Sequence, residues 1–497
     1  MPDTKQTDYG NIVFRQPTEI IRVTSTEDLA RRLKSYHERG DRVTIRNTSH
    51  STFGQTLTDG VQIDIGGIEG ASFNEAAGTV HAGAGDAWNA VFKAIGFPKY
   101  CTPIFPSNPG QHIQIGGTAA VGGVGYYGSH VGGFWNHVVS ATVVTMTGEI
   151  IKCSQTENFD ILKYAISGFG RIGVISEMEV RVVESKPRVV CMALAYRDAD
   201  QFQEAFLRAL KDPLFNGVAA QEDLSNWQTN ELGKMGINLR LLLVMVEVNE
   251  GEDPRLIGRQ VRERYPAVLS AYLEMKERGR ADITLEPKTF AKETIVFFYP
   301  EAESFWIYLA NRIALKLIGK PIFHPRSRLD FKNPWCDCIV SRENYTPFVL
   351  ETKRIISKYG MGKLLEKQSM FHGLINIDSF VTFGVKRLSP DPEKFYPLAL
   401  DLPDELEHAL GVAIMPTLPP DEEDLLDKAM SMCKELTELT YSDGIRGRRY
   451  LYGYNILTRD EIERHYGRDV LQNWQLLKDR LDPKHLLNIG VIPNLDE

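Results

Sequence analysis

The first hundred residues alternate between short runs of β-branched and apolar residues and longer runs with helical periodicity. A strand (EIIRVTS), a helix (TEDLARRLKSYHERG) and a second strand (RVTIRN) predict a β-α-β unit, whose helix is capped by Ser25 or Thr26 and ended by Gly40. Two further strands (VQIDIGG and TVHAGAG) and a helix (DAWNAVFKAIG) follow. The pattern therefore predicts a mixed α and β domain at the start of the chain.

The same alternation resumes after a glycine-rich interval, with the strand ATVVTMTGEIIKC, the helix ENFDILKYAIS and the strand VISEMEVRVV. We place a boundary at Pro187, because long amphipathic helices (DADQFQEAFLRAL, PFVLETKRIISKYG) then mix with apolar strands (NLRLLLVMVEV, WCDCIVSR). This mixture predicts a second domain in which helices back a sheet. The tail DVLQNWQLLKDRL is a predicted helix that ends at Asp482 and Pro483.

The glycine-rich interval GGTAAVGGVGYYGSHVGG has eight glycines between positions 116 and 133. Glycine at this density loses much chain entropy on folding, which a protein tolerates where the backbone turns sharply or approaches a ligand. A flexible surface linker is the alternative, but such linkers are rich in Ser or Pro, whereas Val, Tyr and His are interleaved here. We interpret the interval as a binding loop.

Residues 168–173, GFGRIG, fit the glycine pattern of dinucleotide-binding folds. That fingerprint requires a strand before the glycines and a helix after them. In this chain a predicted helix (ILKYAIS) precedes the pattern and a predicted strand (VISEMEV) follows it. We therefore do not predict a nicotinamide dinucleotide site.

At 497 residues the chain exceeds the usual size of one hydrophobic core, which predicts at least two domains. The net charge of −8 and the scattered Lys and Arg residues argue against a nucleic-acid partner. No apolar run is long enough to span a membrane and the first residues do not form a signal peptide, so we expect a cytoplasmic, soluble protein. The six cysteines lack the spacing of a metal site, and we expect no metal.

Three segments of the chain together resemble the FAD domain of the vanillyl-alcohol oxidase superfamily. In order, they are RVTIRNTSHSTFGQ, the glycine-rich interval and GEIIKCSQTENFDILKYAISGFGRIGVISEMEV. Cytokinin dehydrogenases are the members that the chain resembles most, since NPWCDCIVSRENY and the tail also match their pattern. The resemblance implies an α+β, two-domain PCMH-type FAD-binding fold. Residues 1–186 and 440–497 would form the split FAD-binding domain, and residues 187–439 the inserted substrate-binding domain of sheet and helices.

The resemblance also implies that His50 attaches FAD covalently. A neutral imidazole is a good nucleophile toward the activated methyl group of the flavin ring, and the alkylated histidine makes the flavin a stronger oxidant. A loop histidine that only bonds its neighbours is the alternative. The family usually has Gly before this histidine, whereas this chain has Ser49. The glycine-rich loop lacks the Cys of doubly linked relatives, so we expect one covalent link.

Further cofactor contacts carry over from the resemblance. Backbone N–H groups of the glycine-rich loop would bind the pyrophosphate, other residues would line the same groove, and the turn before the late strand would let that strand approach the flavin. The predicted FAD-binding residues are Ser49, His50, Ser51, Gln55, Gly116, Gly117, Thr118, Gly122, Gly170, Gly173 and Val174.

Removing a hydride from an alcohol or amine acidifies the adjacent O–H or N–H, so the site needs a proton acceptor. Cytokinin dehydrogenases have an Asp just before the glycine-rich loop, whereas this chain has Pro109 at that place, beside Asn108. We predict catalytic roles for Tyr126, Tyr127, Tyr452 and Tyr454, with core packing as the alternative. The spacing of Tyr450, Tyr452 and Tyr454 predicts one face of a strand.

These residues predict an FAD-linked oxidase or dehydrogenase that takes a hydride from a small alcohol, amine or ring compound, as in a tailoring step of secondary metabolism. Its partners would be that substrate and dioxygen or another electron acceptor. One alternative is a cytokinin dehydrogenase, which the missing Asp puts in doubt. A second is a cyclase whose flavin undergoes no net redox change, and a third is a flavin-storage protein, for which a large second domain has no purpose.

Overall fold

A computed structural model of the chain gives the positions of most residues outside the middle of the sequence. It describes residues 5–97, 99–104, 113–125, 127–186, 188–222, 240–275, 332–360, 380–386, 396–399, 408–414, 416, 418 and 423–496.

The strands and helices of these residues are numbered in chain order. The strands are β1 (Gln6–Thr7), β2 (Phe14–Arg15), β3 (Glu19–Arg22), β4 (Val43–Arg46), β5 (Val61–Asp64), β6 (Ser72–Asn74), β7 (Thr79–Gly83), β8 (Tyr100–Cys101), β9 (Val138–Val144), β10 (Ile150–Ser154), β11 (Val174–Arg181), β12 (Val183–Glu184), β13 (Arg188–Tyr196), β14 (Gly217–Glu222), β15 (Arg240–Val248), β16 (Leu269–Met275), β17 (Cys336–Ser341), β18 (Phe380–Lys386), β19 (His408–Ile414) and β20 (Arg448–Tyr450). The α-helices are α1 (Thr26–Arg39), α2 (Trp88–Ala94), α3 (Ile115–Val121), α4 (Gly128–Val131), α5 (Phe159–Ala165), α6 (Ala199–Ala209), α7 (Pro254–Arg264), α8 (Tyr345–Lys358), α9 (Glu423–Thr440), α10 (Arg459–Tyr466) and α11 (Arg468–Leu481), and Phe134–His137 forms a 3-10 turn.

The described N-terminal part of the fold has two larger sheets and the two-stranded pairs β1-β2 and β12-β8. The first is parallel, in the order β3-β5-β4, and the second is antiparallel, in the order β10-β9-β11-β7-β6. The predicted cap of α1 is confirmed, since the Ser25 side chain accepts from the Asp28 N–H and Gly40 ends the helix at a φ of 79°. The strands β3 and β4 that flank this helix are not neighbours, because β5 lies between them and pairs with both.

One predicted strand of this part is a hairpin, and the predicted elements on either side of the GFGRIG pattern are present. The segment ATVVTMTGEIIKC, predicted as one strand, is a hairpin of β9 and β10, because the turn at Thr145–Glu149 reverses the chain. The context of the GFGRIG pattern is confirmed, since helix α5 precedes it and strand β11 follows it. The geometry that a dinucleotide fingerprint requires is therefore not formed here.

An eight-stranded sheet in the order β16-β13-β15-β14-β18-β19-β17-β20 dominates the described part of residues 188–450. One of its faces packs on α6, α7, α8 and α9, in a core that contains Phe206, Phe348 and Met432. The opposite face contributes Met245 and Ile339 to a core shared with residues of the N-terminal sheets. The prediction that helices back a sheet is confirmed, and the face without these helices is turned toward the N-terminal part of the fold.

The C-terminal tail contacts both parts of the fold. Strand β20 is the edge strand of the large sheet, paired with β17. After α11 the chain returns to the parallel sheet, where the N–H of Val43 donates to the Leu486 carbonyl (2.9 Å) and the N–H of Asn488 donates to the Val43 carbonyl (2.8 Å). Within the described residues, no helix is both long and apolar enough to cross a membrane.

Candidate functional site

Three segments meet beside the N-terminal sheets: the loop after β4, the turn after β7 and the start of α3. The Asn47 amide donates to the Ala84 carbonyl (3.1 Å) and the Thr48 hydroxyl donates to the Gln114 amide oxygen (3.1 Å). The other end of Gln114 donates to the Gly85 carbonyl (2.9 Å). These bonds hold His50, two residues after Thr48, close to the glycine-rich interval.

The first part of the predicted glycine-rich loop is helical, because residues 115–121 form α3. A side chain at Gly116 would place its Cβ 2.6 Å from that of Ala84, so this position requires glycine for close approach. A Cβ at Gly117 would meet nothing within 4 Å, which shows open space over the first turn of the helix. Backbone N–H groups of a first turn lack intrahelical acceptors. Those of Ile115 and Gly116 donate instead to the carbonyl oxygens of Asp86 (2.9 Å) and Ala84 (3.1 Å), which leaves the Gly117 N–H as the candidate donor to an anion in that space.

Two other predicted contacts in this interval have structural partners. The Thr118 hydroxyl accepts a bond from the Trp88 indole N–H (3.0 Å). Gly122 ends α3 at a φ of 72° and packs so tightly on Ser167 that a Cβ would lie 2.2 Å from its hydroxyl oxygen. Both residues shape the interval, and their contacts with a cofactor stay predictions.

His50 lies in an aromatic cluster that sequence patterns did not reveal. Its ring stacks on Tyr9, with centroids 4.3 Å apart and an interplanar angle of 16°, and the Trp335 ring centroid is 6.0 Å away. The histidine keeps some exposed surface, but burial of its ring lowers the pKa to about 4. The imidazole is therefore neutral near pH 7, which is the form that acts as a nucleophile.

Ser49 has the backbone conformation that glycine adopts without strain, with a φ of 59°. The positive φ explains why glycine is usual at this position in the family, and in this chain serine adopts the same conformation. The Ser49 and Thr56 hydroxyls are 2.5 Å apart, and this bond helps to hold the loop in that conformation.

Asp8 organises the same loop from the N-terminal segment, a residue that sequence analysis missed. Its carboxylate accepts from the N–H of Gly54 (2.6 Å), the N–H of Gly10 (3.1 Å) and the Ser51 hydroxyl (3.2 Å). Burial raises the pKa of Asp8 to about 6, and the bonds from these donors and the charge of Arg46 partly oppose that rise. Ser51 thus has a partner in Asp8, and its contact with a cofactor stays a prediction.

Gln55 joins this loop to the C-terminal tail. Its amide nitrogen lies within hydrogen-bond distance of the carbonyl oxygens of Leu451 (2.9 Å), Tyr452 (3.1 Å) and Gly453 (2.8 Å), and its amide oxygen accepts from the Phe53 N–H (2.9 Å). Both ends of the side chain are engaged with main chain. Gln55 therefore positions Tyr452 beside the histidine loop, and its contact with a cofactor stays a prediction.

The predicted tyrosines occupy different environments. Tyr126 lies outside the described residues. Tyr127 is buried, and its hydroxyl donates to Glu247 on β15 (3.2 Å). Tyr452 lies in the aromatic cluster, 6.1 Å from Trp335 and 4.6 Å from Tyr450 between ring centroids.

The prediction that Tyr450, Tyr452 and Tyr454 share one strand face is wrong. Strand β20 ends at Tyr450, and a turn follows. Tyr454 packs edge-on against Phe53 at 5.2 Å and belongs to the core under the helices, away from the other two rings. The turn breaks the period of two on which the prediction depended.

The turn before β11 packs against the sheet and the tail. A Cβ at Gly170 would lie 2.6 Å from the Asn488 amide nitrogen, and one at Gly173 would lie 2.6 Å from the Val143 side chain. Val174 is buried at the start of β11. These three predicted cofactor residues lie where tail and sheet meet, while Asn108 and Pro109 lie outside the described residues.

A buried carboxylate, Asp337, is the second residue that sequence analysis missed. It lies on β17 opposite Tyr450 and is 1% exposed. Burial raises its pKa to about 7, although the Tyr452 hydroxyl and the charge of Arg449 lower it. The signal in the sequence was an aspartate within the apolar strand WCDCIVS, since a charged residue inside a buried strand requires a reason.

The residues present fit an FAD cofactor. The His50 imidazole is neutral, and there is open space over Gly117 at the start of α3. Two buried oxygen atoms in or beside the histidine loop, Asn47 Oδ1 and Thr52 Oγ1, lack hydrogen-bond partners in the described part of the chain. A ligand with a ring system, hydroxyl groups and a pyrophosphate can use each of these features.

Comparison with known proteins agrees with this fit. A family model described as FAD binding domain matches residues 17–154. Cytokinin dehydrogenase 2 of Arabidopsis thaliana is 27% identical over 226 residues (44% of this chain and 44% of the relative), and (R)-6-hydroxynicotine oxidase of Paenarthrobacter nicotinovorans is 25% identical over 206 residues (40% and 43%). Cytokinin dehydrogenase 5 of Arabidopsis thaliana is 22% identical over 505 residues (97% and 85%). The chain thus spans less than half the length of the first two of these relatives.

Proposed function

We propose that the chain binds FAD covalently through His50 and oxidises a small organic alcohol, amine or ring compound. The match to an FAD binding domain over residues 17–154 and the relatives named dehydrogenase and oxidase support this proposal. The observation that carries the proposal is the His50 imidazole, kept neutral by burial and stacked at 4.3 Å on Tyr9. A neutral ring nitrogen in a fixed orientation is what attack on the flavin methyl group requires.

The cofactor would lie across the three converging segments. His50 would hold the ring system, and the first turn of α3 would bind the pyrophosphate through the Gly117 main-chain N–H, while the small Gly116 keeps this turn close to Ala84. Once bound, FAD supplies a two-electron acceptor for a hydride from carbon. Residues 1–186 and 440–497 would together form the FAD-binding domain, which the bonds between Val43 and the tail support.

The substrate would lie between this cofactor and the helix-free face of the large sheet, which would form the substrate-binding domain within residues 187–439. Tyr452 is half-buried and lies next to Trp335, so its hydroxyl can contact a molecule beside the flavin. Tyr127 reaches the same sheet through Glu247. The chain's own residues would thus orient the substrate and accept its proton, and dioxygen or another acceptor would reoxidise the cofactor.

The experiment that tests this function is anaerobic mixing of the purified protein with a panel of alcohols, amines and nitrogen heterocycles. Loss of the visible absorption of oxidised flavin on adding one of these compounds shows hydride transfer. A protein without flavin would refute the proposal. A compound that is converted while the flavin stays oxidised would favour the cyclase alternative instead.

We expect isopentenyladenine, a cytokinin, to bleach the flavin about 10²–10⁴-fold more slowly than the preferred substrate does, because the carboxylate of cytokinin dehydrogenases is replaced by Pro109. The comparison is made by stopped-flow absorbance at equal substrate concentrations. Equal rates for the two compounds would support the cytokinin dehydrogenase alternative, which the relatives' names favour.

A further inference from the structure

Asp337 is a buried carboxylate on which only the Tyr452 hydroxyl and the charge of Arg449 act, among the side chains that the structure describes. Neither of its side-chain oxygens has a partner at full hydrogen-bond geometry among the residues that the structure describes, although the Tyr452 hydroxyl is close enough to affect its pKa. Arg449, whose charge acts on this carboxylate, donates to the main-chain carbonyl of Asp337 (2.8 Å) rather than to its side chain, and it also contacts Thr437 on α9. Keeping a carboxylate charged in a buried site without hydrogen-bond donors costs several kcal/mol of folding free energy. Stabilisation of the fold therefore does not explain why Asp337 is there.

The strand directs this carboxylate toward the proposed cofactor. Cys336 and Cys338, its neighbours on β17, belong to the core under the helices, so the Asp337 side chain projects from the opposite face. That face is turned to the N-terminal part of the fold, as the position of Ile339 in the shared core shows. Trp335, two residues earlier, has its ring 6.0 Å from that of His50.

The Tyr452 side chain links Asp337 to the aromatic cluster around His50, since its hydroxyl interacts with the carboxylate and its ring lies 6.1 Å from that of Trp335. Burial raises the pKa of both groups. The interaction between the two side chains raises the pKa of Tyr452 further and partly opposes the rise at Asp337, so the hydroxyl is close enough to act on the carboxylate. Tyr452 keeps exposed surface, whereas Asp337 has almost none. A proton taken from a molecule in the site would therefore reach Asp337 through Tyr452.

We propose that Asp337 is the final proton acceptor of the oxidation, and that Tyr452 transfers the substrate's proton to it. This inference rests on the proposed function. Tyr452 would be the catalytic residue that touches the substrate, and Asp337 would act through it. The pair would replace the carboxylate that cytokinin dehydrogenases place before the glycine-rich loop, where this chain has Pro109.

The step balances for an alcohol or an amine. The C–H bond breaks and its hydrogen leaves with both electrons, as a hydride, for which FAD held at His50 would be the two-electron acceptor. The O–H or N–H bond also breaks, its electron pair forms the new C=O or C=N bond, and its proton passes to the Tyr452 oxygen. The original hydroxyl proton of Tyr452 passes to a carboxylate oxygen of Asp337, which ends the step as a neutral acid.

The surroundings of Asp337 set the pH range of this transfer. Among the described residues, the titratable groups around it include Tyr450 and Tyr452 on the tail and Tyr9 and His50 across the aromatic cluster. Arg449, Cys336 and Cys338 lie behind the strand. The partner of Asp337 on β19 is Ala413, which has no charge. With a pKa of about 7, Asp337 becomes available as a base as the pH rises through neutrality.

The test compares Asp337→Asn and Tyr452→Phe with wild type, using the substrate found by the bleaching screen. We expect the wild-type rate of anaerobic flavin reduction to rise with pH through about 7. Each variant should bind FAD normally, reduce it about 10²–10⁴-fold more slowly and lose that rise. Asp337→Glu, which keeps a carboxylate, should restore part of the rate and the pH dependence.

Two control variants separate this role from general damage to the sheet. Tyr196→Phe removes a buried hydroxyl on the helix-covered face of the large sheet, which has no hydrogen-bond partner among the described residues. Cys338→Ser changes a side chain on the face of β17 opposite to that of Asp337. Both should keep the wild-type rate within about twofold. An Asp337→Asn protein that keeps both the wild-type rate and its rise with pH would overturn the inference.

A second readout does not need a substrate. A carboxyl group whose pKa is raised in the folded state destabilises the fold as the pH rises from its ordinary pKa toward the raised value. Relative to Asp337→Asn, wild type should therefore lose thermal stability between about pH 4 and about pH 7. A constant difference over that range would contradict the inference, whereas the absence of any flavin-reducing substrate would count against the proposed function alone.

Discussion

His50→Ala should release all of its flavin into the supernatant when the protein is precipitated with acid, whereas wild-type protein should stay yellow in the pellet. The reason is that the His50 ring nitrogen is the proposed point of covalent attachment. Burial holds its pKa at about 4, so the nucleophilic form is present throughout the neutral range. The measurement is flavin absorbance in pellet and supernatant after denaturation.

A suitable control is His37→Ala, which removes a histidine from helix α1 and should leave the flavin in the pellet. Wild-type protein that gives up all its flavin on precipitation would show that the link is not covalent. Flavin that stays with the His50→Ala pellet would place the link on another residue. Since neither outcome concerns the substrate, this experiment is independent of the bleaching screen.

Lys478→Met should lower the free energy of unfolding by about 3–5 kcal/mol. The Lys478 ammonium and the Asp482 carboxylate are fully buried and 2.7 Å apart. The ammonium also donates to the carbonyl oxygens of Arg171 (2.8 Å) and Leu487 (2.7 Å), which joins the tail to the turn before β11. Methionine keeps most of the apolar stem but leaves the carboxylate buried without its counter-charge.

The unfolding of this variant can be followed by tryptophan fluorescence in urea, with Lys484→Met as the control. Lys484 is exposed and makes a single bond to the His37 carbonyl (2.7 Å), so its loss should cost no more than about 0.5 kcal/mol. A loss below about 1 kcal/mol for Lys478→Met would show that the buried pair does not hold the tail in place.

Local patterns predicted most elements of the first 186 residues. Short-range chemistry in the sequence predicted the cap of α1 at Ser25 and the strands β4, β5 and β7. It also predicted the helix before GFGRIG and the strand after it. Predictions failed where a turn interrupted a pattern. The hairpin of β9 and β10 and the turn after Tyr450 both break a β-rich run in this way.

These local patterns did not predict which strands pair with each other. The sequence places β3 and β4 on either side of one helix, yet β5 pairs with both. Likewise, nothing in RRYLYGYN shows that β20 joins the edge of a sheet whose adjacent strand, β17, lies about a hundred residues earlier. Such pairings depend on which surfaces bury the most apolar area together, a property of the whole chain.

The sequence by itself determined the FAD-binding domain and the candidate attachment residue, because glycine spacing and the histidine motif are local and resemble a known family. Only the tertiary structure brought Asp8, Tyr9, Trp335, Asp337 and Tyr452 toward His50 or its loop, from three distant segments of the chain. The physical reason is desolvation. The pKa values of His50 and Asp337 are shifted by the atoms packed around them, and those atoms come from residues that are hundreds of positions apart.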